Sequence, residues 1–294
     1  MEQPLLEVAN LIEGKIVKRP SIHIKTPYVA DVNAFGSNLD TVLAHTASLG
    51  CCGLADAGAS VLMSPISNNT SKDADGKLKC EYRVYLAIFR ERGNEIFIGI
   101  HPKLAEDLVE SALKSNKLTK LLNVQKYKRE TVIKFEDKVD SRFDFSGIDE
   151  NGIPFIMEVK NVPLADYEDI GSKEREKKKK KKKNPGCYDS YCVNSKIAYF
   201  PDGYRKKALD TISPRALKHI KELGYIKSVS KTRCIMCYVI QRPDVKCFQP
   251  SKIDPEYCAA FVEAVSKGVE VITMVVSWNL NGTASFVTDC LPLS

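Results

Sequence analysis

One stretch constrains this chain more than any other: Ser141-Arg-Phe-Asp-Phe-Ser-Gly-Ile-Asp-Glu-Asn-Gly-Ile-Pro-Phe-Ile-Met-Glu-Val-Lys. Two strand-prone runs flank an Asn-Gly pair, which is the grammar of a β-hairpin. Alternation puts Phe143 and Phe145 on one face of the first strand, with Arg142 and Asp144 on the other. In the second strand Phe155, Met157 and Val159 share a face, and Glu158 and Lys160 lie opposite. A two-residue turn would set Asp144 against Val159. A three-residue loop, Glu150-Asn151-Gly152 with Gly152 left-handed, sets Asp144 against Glu158 and Arg142 against Lys160. The second register is expected, because it also stacks the aromatic residues on one side.

Two carboxylates held opposite one another repel. A divalent cation would relieve that repulsion, with Lys160 beside it to orient or deprotonate a water. The alternative is a solvated ladder with diagonal Arg142–Glu158 and Asp144–Lys160 ion pairs, worth under about 1 kcal/mol each. The hairpin alone leaves both readings open.

The rest of the chain falls into two texts. Up to about Arg92 it is strand-like, with Ile22-His-Ile-Lys-Thr, Tyr28-Val-Ala-Asp-Val and Tyr82 to Phe89 as strands and no long helix, which predicts a small β-barrel. After Arg92-Gly93-Asn94 an α/β (α+β) order follows. Leu104, Leu108, Ala112 and Leu113 have helical spacing, three strands span Val124 to Lys160, and Ser213-Pro214 caps a helix that stops at Gly224. A strand from Cys234, a helix opened by Asp254-Pro255 and a strand from Val269 complete it. The expected domains are residues 1–92 and 93–294, with a Lys-rich disordered insertion at about 166–196.

Charge is informative only locally. The run Lys177 to Lys183 accounts for the whole formal net charge of +7, so the remainder is neutral. Such a run is expected to add salt-sensitive, nonspecific affinity for phosphate. No basic segment followed by a long apolar run opens the sequence, and no apolar stretch spans a bilayer, so a cytoplasmic or nuclear, non-secreted protein is expected. The ten cysteines then read as free thiols. Cys234 and Cys237 have CxxC spacing, but on a strand they point to opposite faces and cannot readily share a zinc. No phosphate-cradling glycine motif or Ser/His/Asp arrangement is evident, which disfavours a small-molecule enzyme.

Asp144, a gap, then Glu158-x-Lys160 within this element order resembles the PD-(D/E)XK nuclease superfamily. More widely, Ser141-Arg-Phe-Asp-Phe, Met157-Glu-Val-Lys-Asn-Val-Pro-Leu, Phe200-Pro-Asp, Pro214-Arg-Ala-Leu-Lys-His-Ile and Gly268-Val-Glu-Val resemble the sugar fermentation stimulation protein family (SfsA). That resemblance implies an N-terminal OB-like domain joined to a nuclease-like domain in a DNA-binding regulator. It carries Asp144 and Glu158 over as metal ligands for Mg²⁺ or Mn²⁺ and Lys160 as the catalytic lysine. Glu130 matches an upstream acid that would complete the site.

The expected partner is DNA, single- or double-stranded, with RNA as the alternative. Arg142, Arg215, Lys218 and His219 are expected at phosphates beside the nuclease-like site, and Lys15, Lys18 and Arg19 on the OB-like surface. The expected function is a DNA-binding protein with a Mg²⁺-dependent phosphodiesterase site. A binding-only transcriptional regulator is the alternative. A homodimer is compatible with the sequence, which does not fix the oligomeric state.

Overall fold

The computed structural model describes residues 3–36, 41–46, 51, 53–66, 79–170, 195–201 and 211–294. The lysine run, Cys187, Cys192 and Asp202 lie outside the described residues.

Strands β1 (Leu6–Glu7), β2 (Ile12–Lys18), β3 (Val29–Ala34), β4 (Val42–His45), β5 (Ser60–Pro65), β6 (Tyr82–Glu91) and β7 (Asn94–Gly99) come first. Helix α1 (Lys103–Lys114) follows, then β8 (Lys126–Phe135), β9 (Val139–Ile148), β10 (Pro154–Val162), β11 (Ala165–Asp166) and β12 (Lys196–Phe200). The chain closes with α2 (Pro214–Val229), β13 (Arg233–Ile240), β14 (Val245–Pro250), α3 (Pro255–Ser266), β15 (Glu270–Trp278) and β16 (Thr283–Thr288). The fold is α+β and mostly sheet.

One 13-stranded sheet carries both texts, in the order β4-β3-β2-β5-β6-β7-β15-β13-β10-β9-β8, with β1 and β16 attached beside β15. β4 also pairs with β6, so β2, β3, β4, β6 and β5 pair around a ring. A separate small sheet runs β11-β12-β14. Arg92 and Gly93, where the grammar changes, both have positive φ and form the tight turn of the β6–β7 hairpin. The first helix begins only after β7. Ile22 to Thr26, expected as a strand, is instead a tight loop. The Asp31 carboxylate accepts from the Ile22 N–H (2.9 Å) and from Ser21 Oγ, drawing that segment out of the sheet.

β10, β13 and β15 run parallel and are nearly continuous in apolar residues, because both their faces are covered. Met157, Val159, Ile235, Cys237 and Met274 pack beneath Leu104, Leu108 and Leu113 of α1. Ile156, Cys234, Met236 and Tyr238 pack beneath Ile220 of α2 and Phe261 of α3 on the other face. Cys234 and Cys237 thus point to opposite faces, and burial pushes the Cys234 thiol up to about 12. Cys80, Cys234, Cys237, Cys247, Cys258 and Cys290 carry free thiols. A third cluster, including Ile16, Val32, Val61 and Val84, fills the strand ring.

Helix α3 starts as expected, with Asp254 Oδ1 accepting from the Tyr257 N–H (3.1 Å), and ends before Gly268, which has φ +93°. Helix α2 does not stop at Gly224. It runs on to Val229, and a Cβ at Gly224 would sit 3.4 Å from Ala264 Cα of α3. That glycine lies inside the helix where α2 passes α3, at ordinary contact distance, and marks no terminus.

No helix among the described residues is long and apolar enough to cross a membrane, which says nothing of a β-barrel.

Candidate functional site: a carboxylate pair where β9 leaves β10

The β9–β10 hairpin closes through the expected three-residue loop. The Asp149 N–H donates to Ile153 O (2.9 Å), leaving Glu150, Asn151 and Gly152 between them, and Gly152 has φ +79°. Asp149 Oδ1 accepts from the Asn151 and Ile153 N–H groups, and Arg233 holds Oδ2 (2.9 Å). Met157 therefore lies opposite Phe145, and the next pair in that register is Asp144 with Glu158.

The ladder ends at Met157–Phe145. Beyond it, the Val159 N–H donates to Asp144 Oδ2 (2.7 Å), so a side chain takes over from backbone pairing. At this level the β8–β9 pair also rolls over. Tyr127 and Phe145 pack into the α1 side, whereas Ile133, Phe143 and Val139 pack into the α2–α3 side. The expectation that Phe143 and Phe145 share a face is thus corrected. The roll occurs at Glu130 (φ +51°), which falls opposite Asp144 in the β8–β9 register. Asp144 consequently sits in the opening between β9 and β10.

Glu158 projects from β10 toward α2 and is 2% exposed. Its Oε1 accepts from Lys160 Nζ and lies against His219 Nδ1. Its Oε2 is buried without a hydrogen-bond partner among the described residues. Burial alone would push the Glu158 carboxyl up, but the Lys160 charge and the His219 hydrogen bond outweigh it and hold it low. Burial first, and then the Glu158 charge, push the Asp144 carboxyl up to about 7, against the opposing pull of Lys160 and the Val159 N–H. The charged face is not a solvated ladder. Lys160 is 13% exposed and pairs with Glu158, not Asp144.

The remaining expected residues distribute differently. His219 is buried, tilted against Phe143 with ring centroids 5.4 Å apart, so it cannot serve as an open phosphate contact; it is the partner of Glu158. Glu130 does not join the carboxylates. Its side chain is 53% exposed and pairs with Arg142 (3.4 Å). The acid that acts on Asp144 from outside the hairpin is Glu106 of α1, itself held by Arg129 (2.9 Å). Neither that role nor the His219–Glu158 contact has a sequence signal, since both depend on which helix covers which face. Lys218 donates to Asp140 O (2.6 Å) and lies 3.5 Å from Glu222, while Arg215 is exposed in the first turn of α2. Lys15 and Lys18 are exposed on β2. Arg19 is tied to the carbonyls of Pro27 (2.8 Å) and Ala55 (3.3 Å).

Among the described residues no group of three His, Cys, Asp or Glu side chains converges in metal-binding fashion. Two carboxylates with an open buried oxygen still fit a hard cation that keeps waters and substrate oxygens as its other ligands.

Comparison with known proteins places this geometry in context. Residues 190–282 match the model of the sugar fermentation stimulation protein RE domain. Sugar fermentation stimulation protein homologues from Prochlorococcus marinus (strain NATL1A) and Maricaulis maris (strain MCS10) are each 27% identical to this chain. The first alignment covers 91% of this chain and 88% of the relative, the second 90% and 88%. A homologue from Prochlorococcus marinus (strain NATL2A) is 31% identical over 60% of this chain and 55% of its own. The fold matches Pyrococcus furiosus SfsA, solved in complex with Ca²⁺, with a TM-score of 0.70 over the full length of both chains at 19% identity.

Proposed function

The chain belongs to the sugar fermentation stimulation protein family, and from that premise we propose that it binds nucleic acid and hydrolyses a phosphodiester with a divalent cation at Asp144 and Glu158. The observation that carries this reading is the buried, unpartnered Oε2 of Glu158 beside a carboxyl that its charge has pushed up to about 7. Leaving such an oxygen dry and unpaired costs on the order of 1–3 kcal/mol or more unless something binds there. In this reading the domain after β7 is nuclease-like in the PD-(D/E)XK sense, and the strand ring is an OB-like binding module. The Ca²⁺ in the related Pyrococcus furiosus structure is consistent with an oxygen-lined cation site of this class.

The residues divide the work by position. Asp144 and Glu158 would hold Mg²⁺ or Mn²⁺, which when bound supplies Lewis-acid charge stabilisation and a more acidic water. Glu158, fixed by His219 and Lys160, presents its free oxygen in one orientation. Lys160, anchored through one N–H, keeps others to orient the attacking water or a non-bridging phosphate oxygen. Water adds to phosphorus, the bridging P–O bond breaks, and the leaving oxygen takes up a proton. Exposed Arg142 and Arg215 lie on the flanking strand and helix, where the phosphates on either side would run.

The test is incubation of single- and double-stranded DNA with the protein, with and without Mg²⁺ or Mn²⁺, beside Glu158→Ala. Metal-dependent cleavage lost in the variant is the expected result. A binding-only regulator is favoured by one observation, the absence of a third converging donor among the described residues. Binding without cleavage under either metal would establish that reading instead.

A further inference from the structure

Seven buried side-chain nitrogen or oxygen atoms lack a hydrogen-bond partner among the described residues, and they fall into two groups. Ser141 Oγ, Glu158 Oε2 and Glu222 Oε2 surround the site just described. The other group is His45 Nδ1, Arg83 Nε and His101 Nδ1, with Thr46 Oγ1 next in the chain after His45. Orphaned buried polar atoms are costly, and those of His45, Arg83 and His101 along one seam need an account.

The topology brings these residues together at the seam that closes the strand ring. His45 ends β4 and is the register partner of Arg83 on β6. Tyr85, two residues along β6, accepts the N–H groups of Ile100 (2.9 Å) and His101 (3.3 Å) at its carbonyl, which places His101 beside it. The Tyr85 and His101 rings lie 5.2 Å apart at 33°.

Their charges act on one another. Burial, and then Arg83 and His45, hold His101 down to about 4, with Lys103 adding to the effect. Burial and Arg83 likewise lower His45. The one acid that opposes this at His101 is Asp107, already held by Arg129 (2.9 Å). Cationic and potentially cationic groups are thus collected without an acid to pair them. A metal ion would be repelled by Arg83. An anion with several acceptor oxygens would satisfy the guanidinium and both imidazoles at once.

We propose that His45, Arg83 and His101 form a phosphate-binding subsite, with the neighbouring Tyr85 and His101 rings offering aromatic surface to the adjoining base. It seats a backbone phosphate of the strand presented to the carboxylate pair, and in that respect it rests on the nucleic-acid reading above. Aromatic faces interleaved with cations are how sequence-tolerant strand binding is built.

The experiment keeps the two readings apart by working in EDTA, where no cleavage occurs. Fluorescence anisotropy follows a labelled oligothymidylate, and side-chain NMR of the histidines follows titration with inorganic phosphate. Wild type is expected to bind both, with the His101 titration moving upward as phosphate binds. Arg83→Gln is expected to weaken oligonucleotide binding about tenfold, the loss of one charge-assisted contact. Arg83→Lys is expected to recover part of it. Neither variant strips an acid of its partner, so thermal melting should confirm an intact fold, and His101→Gln provides an independent second variant. A histidine response to inorganic phosphate with no oligonucleotide binding by wild type would overturn the assignment to a strand and leave a site for free phosphate. No histidine response to phosphate, or oligonucleotide affinity unchanged in Arg83→Gln and His101→Gln, would overturn the subsite whatever the outcome of the cleavage assay.

Discussion

Asp144 and His101 are both held away from their ordinary titration ranges, and the consequences run in opposite directions along the pH axis. Asp144 is raised from 3.8 to about 7. Between those values the unfolded chain has released a proton that the folded chain keeps, so this group's contribution to stability falls as pH rises. Asp144→Asn removes that loss. Melting in EDTA should show the variant gaining on wild type from pH 4 to pH 7, while calorimetric titration shows its Mn²⁺ binding strongly weakened. His101 is lowered from 6.5 to about 4, so the unfolded chain binds the extra proton and stability is lost as pH falls through that window. His101→Gln should flatten the acid side of the melting profile between pH 6.5 and 4, and inorganic phosphate should flatten it in wild type. A His101→Gln profile that tracks wild type would show that this imidazole is not the one resisting protonation.

At the level of elements, the hairpin loop was legible and the roll of the strands was not. Stacking the aromatic residues on one side selects the three-residue loop, and the register is right although only Phe145 and Phe155 share that side, with Phe143 on the other. Gly152 at φ +79° has open space where a Cβ would go. Gly152→Ala should therefore cost only the backbone penalty, about 1 kcal/mol in chemical denaturation, and leave Mn²⁺ binding intact. A larger loss, or loss of the ion, would mean that the loop does more than set register. The roll at Glu130 and Asp144 left no such mark, because nothing in Arg129-Glu130-Thr131 announces a left-handed residue. Alternation therefore put Phe143 on the wrong side, and the resemblance that put Glu130 in the site did not show its side chain turning out to Arg142. Gly224 misled in the opposite sense, since a glycine inside a helix that packs against α3 looks like a stop when its neighbour is unknown. His219 could be read from sequence as a cation on a helix start, and only the packing of α2 over Phe143 turns it inward to Glu158.

Across the whole molecule, the two halves meet along a seam with a shared core, Leu62, Leu86 and Ile88 packing in one cluster with Val159, Ile235 and Trp278, and with β1 paired to β16. β7 pairs with β15 at the single position Phe97–Trp278. Beside it Trp278 Nε1 donates to Gln241 Oε1 (2.7 Å), and Gln241 Nε2 donates to Asn161 Oδ1 (2.7 Å). A Cβ at Gly99 would fall 2.2 Å from Gln241 Oε1 and 3.0 Å from Trp278 Nε1. Gly99→Ala should displace the amide and destabilise by about 2 kcal/mol, in the range of overpacked cores. Trp278 is the sole tryptophan, so its fluorescence reports the seam directly, and an unshifted emission spectrum with an unchanged melt would sink this account.

Because one sheet runs from the ring through β7, β15 and β13 to β10, the seam also sets a length. Arg83 on β6 and Glu158 on β10 are four strand spacings apart, a span on the order of 20 Å. At roughly 3.4 Å of rise per nucleotide, a strand must be about six nucleotides long to reach from one to the other. The sheet would then act as a ruler: shorter oligonucleotides could occupy either end but not both, and affinity should step upward once the chain is long enough to bridge them.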